Sequence, residues 1–169
     1  MNLYILRHAK AGERSARFPN DSKRPLTSDG EKEMFRVAQG MRQMELKFNL
    51  ILSSPFVRAK QTAEIVADVF KSNKLRLSEN LASGADARNL IGELNDDYPS
   101  LKNILLVGHE PDLSKLISRL SAGDEKLSVN FKKSGLCKLT VGDLRFGRCA
   151  TLEWLLTPGQ LERMRNAKS

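Results

Sequence analysis

Four short apolar runs recur along the chain: Leu3 to Leu6, Leu50 to Ser53, Leu75 to Leu77 and Asn103 to Val107. The first, second and fourth are continuous rather than alternating, the pattern of strands buried on both faces of a parallel sheet. Between them, apolar residues return at helical spacing. One helix is predicted from Ser28 to about Leu46, because Ser28-Asp29-Gly30-Glu31 fits a capping box in which serine and glutamate satisfy orphan backbone donors reciprocally. A second opens near Pro55 and carries Ala59, Ala63, Val66 and Phe70 on one face. A weaker third lies around Asp86 to Leu94. A fourth follows Pro111-Asp112, its stripe of Leu113, Leu116, Ile117 and Leu120 marking a core-facing side. Leu136 to Val141 and Cys149 to Leu155 are strand-like and flank Gly142-Asp143 and Gly147, so an antiparallel hairpin on the sheet edge is expected. Pro158-Gly159 then leads into a short basic helix, whose end, Arg163 to Ser169, reads as solvated cations complementing the helix dipole.

With no repeat, low-complexity segment or long linker, this alternation predicts a single α/β domain over residues 1–169. Composition agrees: 40% hydrophobic and 28% charged residues are globular proportions, and the chain is long enough to bury a core. No apolar run approaches the roughly 18 residues of a bilayer span. The opening Met1 to Leu6 has no basic n-region, so no export signal is read and a cytoplasmic location is expected. Cys137 and Cys149 lack metal or redox spacing; they read as reduced packing residues, with a cross-strand bridge as the alternative. The net charge of +8 is concentrated before Asn80, where 15 basic residues face 9 acidic ones. Such a field favours anionic partners without naming one.

The two histidines of the chain, His8 and His109, each follow a predicted buried strand at its C-terminal end. In open α/β sheets ligands bind outside the carboxyl ends of the strands. Arg7 precedes His8, and Arg58 lies in Ser53-Ser54-Pro55-Phe56-Val57-Arg58-Ala59, where the second strand runs into the next helix. Two guanidiniums, two imidazoles and a helix start at one sheet edge make a constellation suited to phosphate oxygens. The alternative for each residue taken singly is an ordinary polar or solvated side chain.

Leu6-Arg7-His8-Ala9, Ser54-Pro55-Phe56-Val57-Arg58-Ala59-Lys60-Gln61-Thr62-Ala63 and Val107-Gly108-His109-Glu110-Pro111 resemble, in order, the R-H-G, S-P-x-x-R-A-x-x-T-A and V-x-H segments of the histidine phosphatase superfamily, with Ala9 in place of the glycine. Within it, Lys23-Arg24-Pro25-Leu26-Thr27-Ser28-Asp29-Gly30 and His109-Glu110-Pro111 are similar to the SixA-type phosphohistidine phosphatases. The resemblance implies a three-layer α/β/α fold of the phosphoglycerate mutase type, with a mostly parallel sheet. It implies that His8 is the nucleophile, forming a covalent phosphohistidine, while Arg7, Arg58 and His109 hold the phosphoryl oxygens. Arg24 is a further candidate for the pocket, in a loop from Ala9 to Lys23 that could fold over the site; the alternative is that it fixes the loop or faces solvent. No metal and no cofactor are called for.

Where many members of the superfamily carry a proton-donating acid, this chain reads Leu81-Ala82-Ser83-Gly84-Ala85-Asp86. An alkoxide needs a proton to leave, whereas imidazole, with a conjugate-acid pKa of about 6.5, leaves phosphorus with little help. The expected activity is therefore hydrolysis of phosphohistidine on a signalling or phosphocarrier protein, by a monomer, with inorganic phosphate as product. The alternative is a phosphatase for small phosphomonoesters, with Asp86 or Glu110, or else Glu79, as general acid. A third reading is a basic binding module for nucleic acid or phosphoprotein without turnover, disfavoured because one Trp and two Tyr provide no aromatic-basic interleaving. Neither a nucleic-acid nor a membrane partner is expected.

Overall fold

The computed structural model describes residues 1–13 and 19–166. The central stretch of the Ala9 to Lys23 loop, residues 14–18, and the last three residues of the basic tail lie outside the described residues. Eleven elements follow one another: β1 (Asn2–Arg7), α1 (Ser28–Gln43), β2 (Leu50–Ser53), α2 (Val57–Phe70), β3 (Leu75–Leu77), α3 (Ala87–Asp97), β4 (Asn103–Gly108), α4 (Asp112–Ala122), β5 (Leu136–Val141), β6 (Ala150–Leu156) and α5 (Pro158–Met164). Short 3-10 turns occupy Asp21–Lys23 and Glu79–Leu81. The strands form one sheet in the order β3-β2-β4-β1-β5-β6, parallel through the first four and antiparallel at β5 and β6. This is the expected α/β/α sandwich with its C-terminal edge hairpin.

Because side chains alternate across a strand, the apolar runs feed two cores. Leu3, Ile5, Leu52, Ile104 and Leu106 pack beneath α3 and α4, joined by the whole Leu113, Leu116, Ile117 and Leu120 stripe. Tyr4, Leu6, Ile51, Leu105 and Val107 face the other way, with Met34, Val37, Ala38 and Met41 of α1, Ala59, Ala63 and Val66 of α2 and Leu161 of α5. Cys137 is fully buried in the first core, and both cysteines are free, so the cross-strand bridge does not form. Among the described residues no helix is long and apolar enough to cross a membrane.

Both boundaries of α1 differ from the sequence reading, and α3 runs on to Asp97, past Leu94. The N-cap of α1 is Thr27, not Ser28: its hydroxyl accepts from the Gly30 N–H at 3.0 Å, and its own N–H is bound to the Lys10 carbonyl. With that N–H engaged and glycine at the third helical position, Glu31 has no capping box to complete. A full capping box does form at α5, between Thr157 and Gln160. At its other end α1 stops at Gln43, because Glu45 turns into the left-handed region at φ 56°.

Candidate active site

Strand register brings Arg7 and the two histidines to one edge. Arg7 of β1 pairs with Gly108 of β4, and Ser53 of β2 with Val107, so the three parallel strands end level. His8, Ser54 and His109 are the next residue on each. The ladder continues one step past the strands, His8 N–H to the Gly108 carbonyl at 3.1 Å and Ser54 N–H to the Val107 carbonyl at 2.9 Å. The segment after His8 is then held from two sides. Ala9 N–H donates to the Thr62 hydroxyl (3.1 Å), which donates to the Arg58 carbonyl (2.6 Å). On the opposite side α1 begins against Lys10: a Cβ at Gly30 would stand 2.1 Å from the Lys10 carbonyl oxygen, so only glycine admits that approach. The alanine that replaces the family's glycine at position 9 is fully buried in the same core as Ala59 and Ala63.

His8 is 7% exposed and His109 2%, with ring centroids 5.1 Å apart. The His8 Nδ1 lies 2.7 Å from the Ala9 carbonyl, which can only accept, so Nδ1 carries the ring proton. Its Nε2 accepts from Arg58 Nε at 3.2 Å. Burial pushes the His8 pKa down to about 3, despite the opposing Ala9 hydrogen bond and with help from His109, Arg58 and Arg7. Burial, then the Arg58 cation, lowers His109 to about 4. Both rings are therefore neutral near pH 7, and His8 presents an unprotonated Nε2. His109 Nε2 lies 2.8 Å from the Ser54 hydroxyl, and the Phe56 ring packs against the His109 ring at 5.0 Å.

The cations surround this pair. Arg58, on the first turn of α2, is 4% exposed. It donates from Nη1 to the Asp21 carbonyl (2.7 Å) and from Nη2 to Asp21 Oδ2 (2.8 Å). Arg24 donates from Nε and Nη2 to Asp21 Oδ1, at 2.9 and 2.7 Å, and from Nη1 to the Gly12 carbonyl at 2.6 Å. Arg24 thus joins the cluster through Asp21 and also fixes the loop. Arg7 donates from Nη1 to the Phe131 carbonyl at 2.6 Å. Two buried polar atoms of the cluster, Arg7 Nε and His109 Nδ1, have no hydrogen-bond partner among the described residues.

The three acids weighed as proton donors sit elsewhere or are engaged. Asp86 caps α3, accepting from the Arg88 N–H at 2.8 Å, pairs with the Arg88 guanidinium and is half-exposed. Glu79 is exposed on its 3-10 turn. Glu110 follows His109 and its negative charge acts on Arg7, but its two oxygens accept from the Ser114 N–H and hydroxyl at the start of α4. Asp21 was not singled out from sequence. It comes to the centre only through the fold of its loop, and its one local signal is the i, i+3 spacing to Arg24. Ser54 and Thr62 were legible only as letters of the quoted motif. Among the described residues no group of three or more His, Cys, Asp or Glu side chains is placed to hold a metal ion.

Comparison with known proteins places this geometry. A sequence profile described as the histidine phosphatase superfamily (branch 1) matches residues 3–83. An uncharacterized protein of Picosynechococcus sp. is 36% identical over 147 residues, covering 86% of this chain and 88% of that one. The phosphohistidine phosphatase SixA of Escherichia coli is 27% identical over 168 residues, covering 96% and 97% of the two chains. The structure of the protein histidine phosphatase SixA complexed with tungstate superposes with a TM-score of 0.80 at 27% identity, over 95% of this chain and 99% of that one. With the motifs in order, the strand ends in register and the likeness running nearly end to end, the chain belongs to the histidine phosphatase superfamily.

Proposed function

We propose that the protein is a phosphohistidine phosphatase that removes phosphoryl groups from histidine side chains of signalling or phosphocarrier proteins, by way of a phospho-His8 intermediate. The observation that carries this reading is the neutral, buried His8, with Nδ1 tied to the Ala9 carbonyl and Nε2 deprotonated beside Arg58. Nε2 attacks phosphorus as the phosphorus-nitrogen bond of the substrate breaks; the departing ring keeps the electron pair and, carrying on its other nitrogen a proton taken from solvent, leaves as neutral imidazole. As Nε2 takes up phosphorus, the Arg58 Nε–H turns from that lone pair to a phosphoryl oxygen. Arg7 and His109 hold the others, stabilising charge that spreads over them in the transition state. Water then attacks phospho-His8 and releases inorganic phosphate.

Support for the substrate class comes from two sides. The relative SixA is named a phosphohistidine phosphatase, and the carboxylates weighed as proton donors are capping, exposed or hydrogen-bonded to Ser114. A leaving group that carries its own ring proton needs no carboxylic acid from the protein, and this fits such a site. We take the monomer as the active unit, working in the cytoplasm with Cys137 and Cys149 reduced. Phosphate release from a phosphohistidine-bearing peptide and from an alkyl phosphate, at neutral pH with EDTA, separates the readings. Faster release from the peptide, lost in His8→Ala, is expected. Preference for the alkyl phosphate, lost in Glu110→Gln, would transfer the assignment to small phosphomonoesters.

A further inference from the structure

A groove leaves the site at Arg7 and runs between the start of α1 and the loop before β5, lined by Arg7, Lys10, Glu33, Asn130, Lys132 and Lys133 with Phe131 and Pro158. Four of its side chains are cations and one is a carboxylate. That carboxylate, Glu33, accepts from the Ser134 hydroxyl at 2.7 Å. Lys10, Lys132 and Lys133 are exposed and form no ion pair among the described residues. The wall bearing Lys132 and Lys133 is pinned to the site: Arg7 Nη1 binds the Phe131 carbonyl, and Ser134 N–H donates to the Arg7 carbonyl at 3.1 Å. The opposite wall is pinned too, by Thr27 N–H on the Lys10 carbonyl and by Gly30 against it. Partial desolvation of the Lys133 stem lowers its pKa, and the nearby Arg7, Arg24, Lys10 and Arg58 lower it further. Like charges held on a rigid frame repel one another, and an anion that arrives relieves them all.

We propose that this groove is a docking surface for an acidic segment of the protein substrate, which seats its phosphohistidine at His8. The proposal rests on the reading of the site as a phosphohistidine phosphatase and names the face of the partner that it recognises. The groove puts part of the chain's positive excess beside the candidate active site, where it can steer a partner. A protein segment is favoured over nucleic acid because the one aromatic residue of the lining, Phe131, is 3% exposed and offers no face for a base to stack on.

The test uses the full chain and three fluorescent probes: a peptide with a central histidine flanked by glutamates, its glutamine twin, and a single-stranded oligonucleotide. The glutamate peptide is expected to bind the wild type in a salt-sensitive way, and about tenfold more weakly in Lys10→Glu/Lys132→Glu. The glutamine twin is expected to bind weakly to both proteins. With the peptides phosphorylated on histidine, the variant raises KM for the glutamate peptide and leaves kcat, and all hydrolysis of phosphoimidazole, unchanged. Equal binding of the glutamate peptide by wild type and variant overturns the proposal, as does tighter, Lys10- and Lys132-dependent binding of the oligonucleotide. If the glutamate peptide binds as expected but neither phosphorylated peptide nor phosphoimidazole is turned over, the groove stands and the catalytic reading falls.

Discussion

A lone histidine in water is half protonated near pH 6.5 and makes an indifferent nucleophile below it. Here burial among cations holds His8 neutral down to about pH 3 and His109 to about pH 4. Two consequences follow. Activity should show no acid limb from His8 in the ordinary histidine range, so a kcat/KM profile should stay flat from pH 7 to about 5.5 for a substrate that does not itself titrate there; an inflection near 6.5 assigned to His8 would contradict the burial. For stability, both pKa values are depressed in the folded state, so the unfolded chain binds more protons below pH 6.5 and stability falls as pH falls from there towards 4 and 3. Urea midpoints measured from pH 7 to 4.5 should therefore drop in the wild type. They should drop less in His8→Asn, the difference reaching at most about 1.4 kcal/mol per pH unit. Removing a donor aimed at the phosphoryl group, as in Arg58→Ala, is expected to lower kcat about 10²- to 10³-fold. Asp21→Ala, which frees one side of Arg58, should act in the same direction more mildly, and Asp21→Asn should restore much of the loss because an amide oxygen can still accept.

At the scale of elements, two glycines of α1 set how the helix docks. A Cβ at Gly40 would stand 1.9 Å from the Leu161 carbonyl oxygen of α5, and one at Gly30 2.1 Å from that of Lys10. Alanine at either position forces backbone apart, and a destabilisation of about 1–3 kcal/mol is expected in each case. The two should differ in function: Gly30→Ala moves the segment that follows His8 and lowers activity, whereas Gly40→Ala disturbs only the far end of the helix. Comparing urea midpoints with kcat/KM for both variants checks this, and equal loss of activity in the two would contradict it. These contacts also explain what the chain's letters could and could not tell. Strands were legible because burial on both faces leaves unbroken apolar runs, and the α4 stripe because a helix against a sheet repeats its apolar face. The cap of α1 was misplaced by one residue because Ser28 and Thr27 are equally good caps locally, and the choice is made by the Lys10 carbonyl, 17 residues earlier in the chain. Asp21 was invisible for the same reason: its partner Arg58 lies 37 residues further along the chain and meets it only by folding.

Across the whole molecule, two cores share one sheet, and the site hangs on strands that belong to both. We expect residues 1–169 to unfold as one unit. Trp154, on the edge strand β6, should report the same transition by fluorescence as far-ultraviolet circular dichroism reports for the helices; separated midpoints would show that the edge hairpin melts alone. That Arg7, His8, Arg58 and His109 come together was legible because the parallel register carries strand ends to one edge, where His8 and His109 stood as the chain's two histidines, and because Arg58 follows the second strand into the next helix. The groove beside them was legible only as a net charge, since Lys10 and Lys132 lie far apart in sequence and meet by folding. The most direct test of the account is to mix the protein with a histidine-phosphorylated peptide carrying labelled phosphate, quench within milliseconds in alkali, and map the label. The account predicts an acid-labile, alkali-stable phosphoryl group on His8 that appears ahead of free phosphate, decays as phosphate is released and is absent from His8→Ala. Label on another residue, or phosphate release by His8→Ala at the wild-type rate, would contradict it.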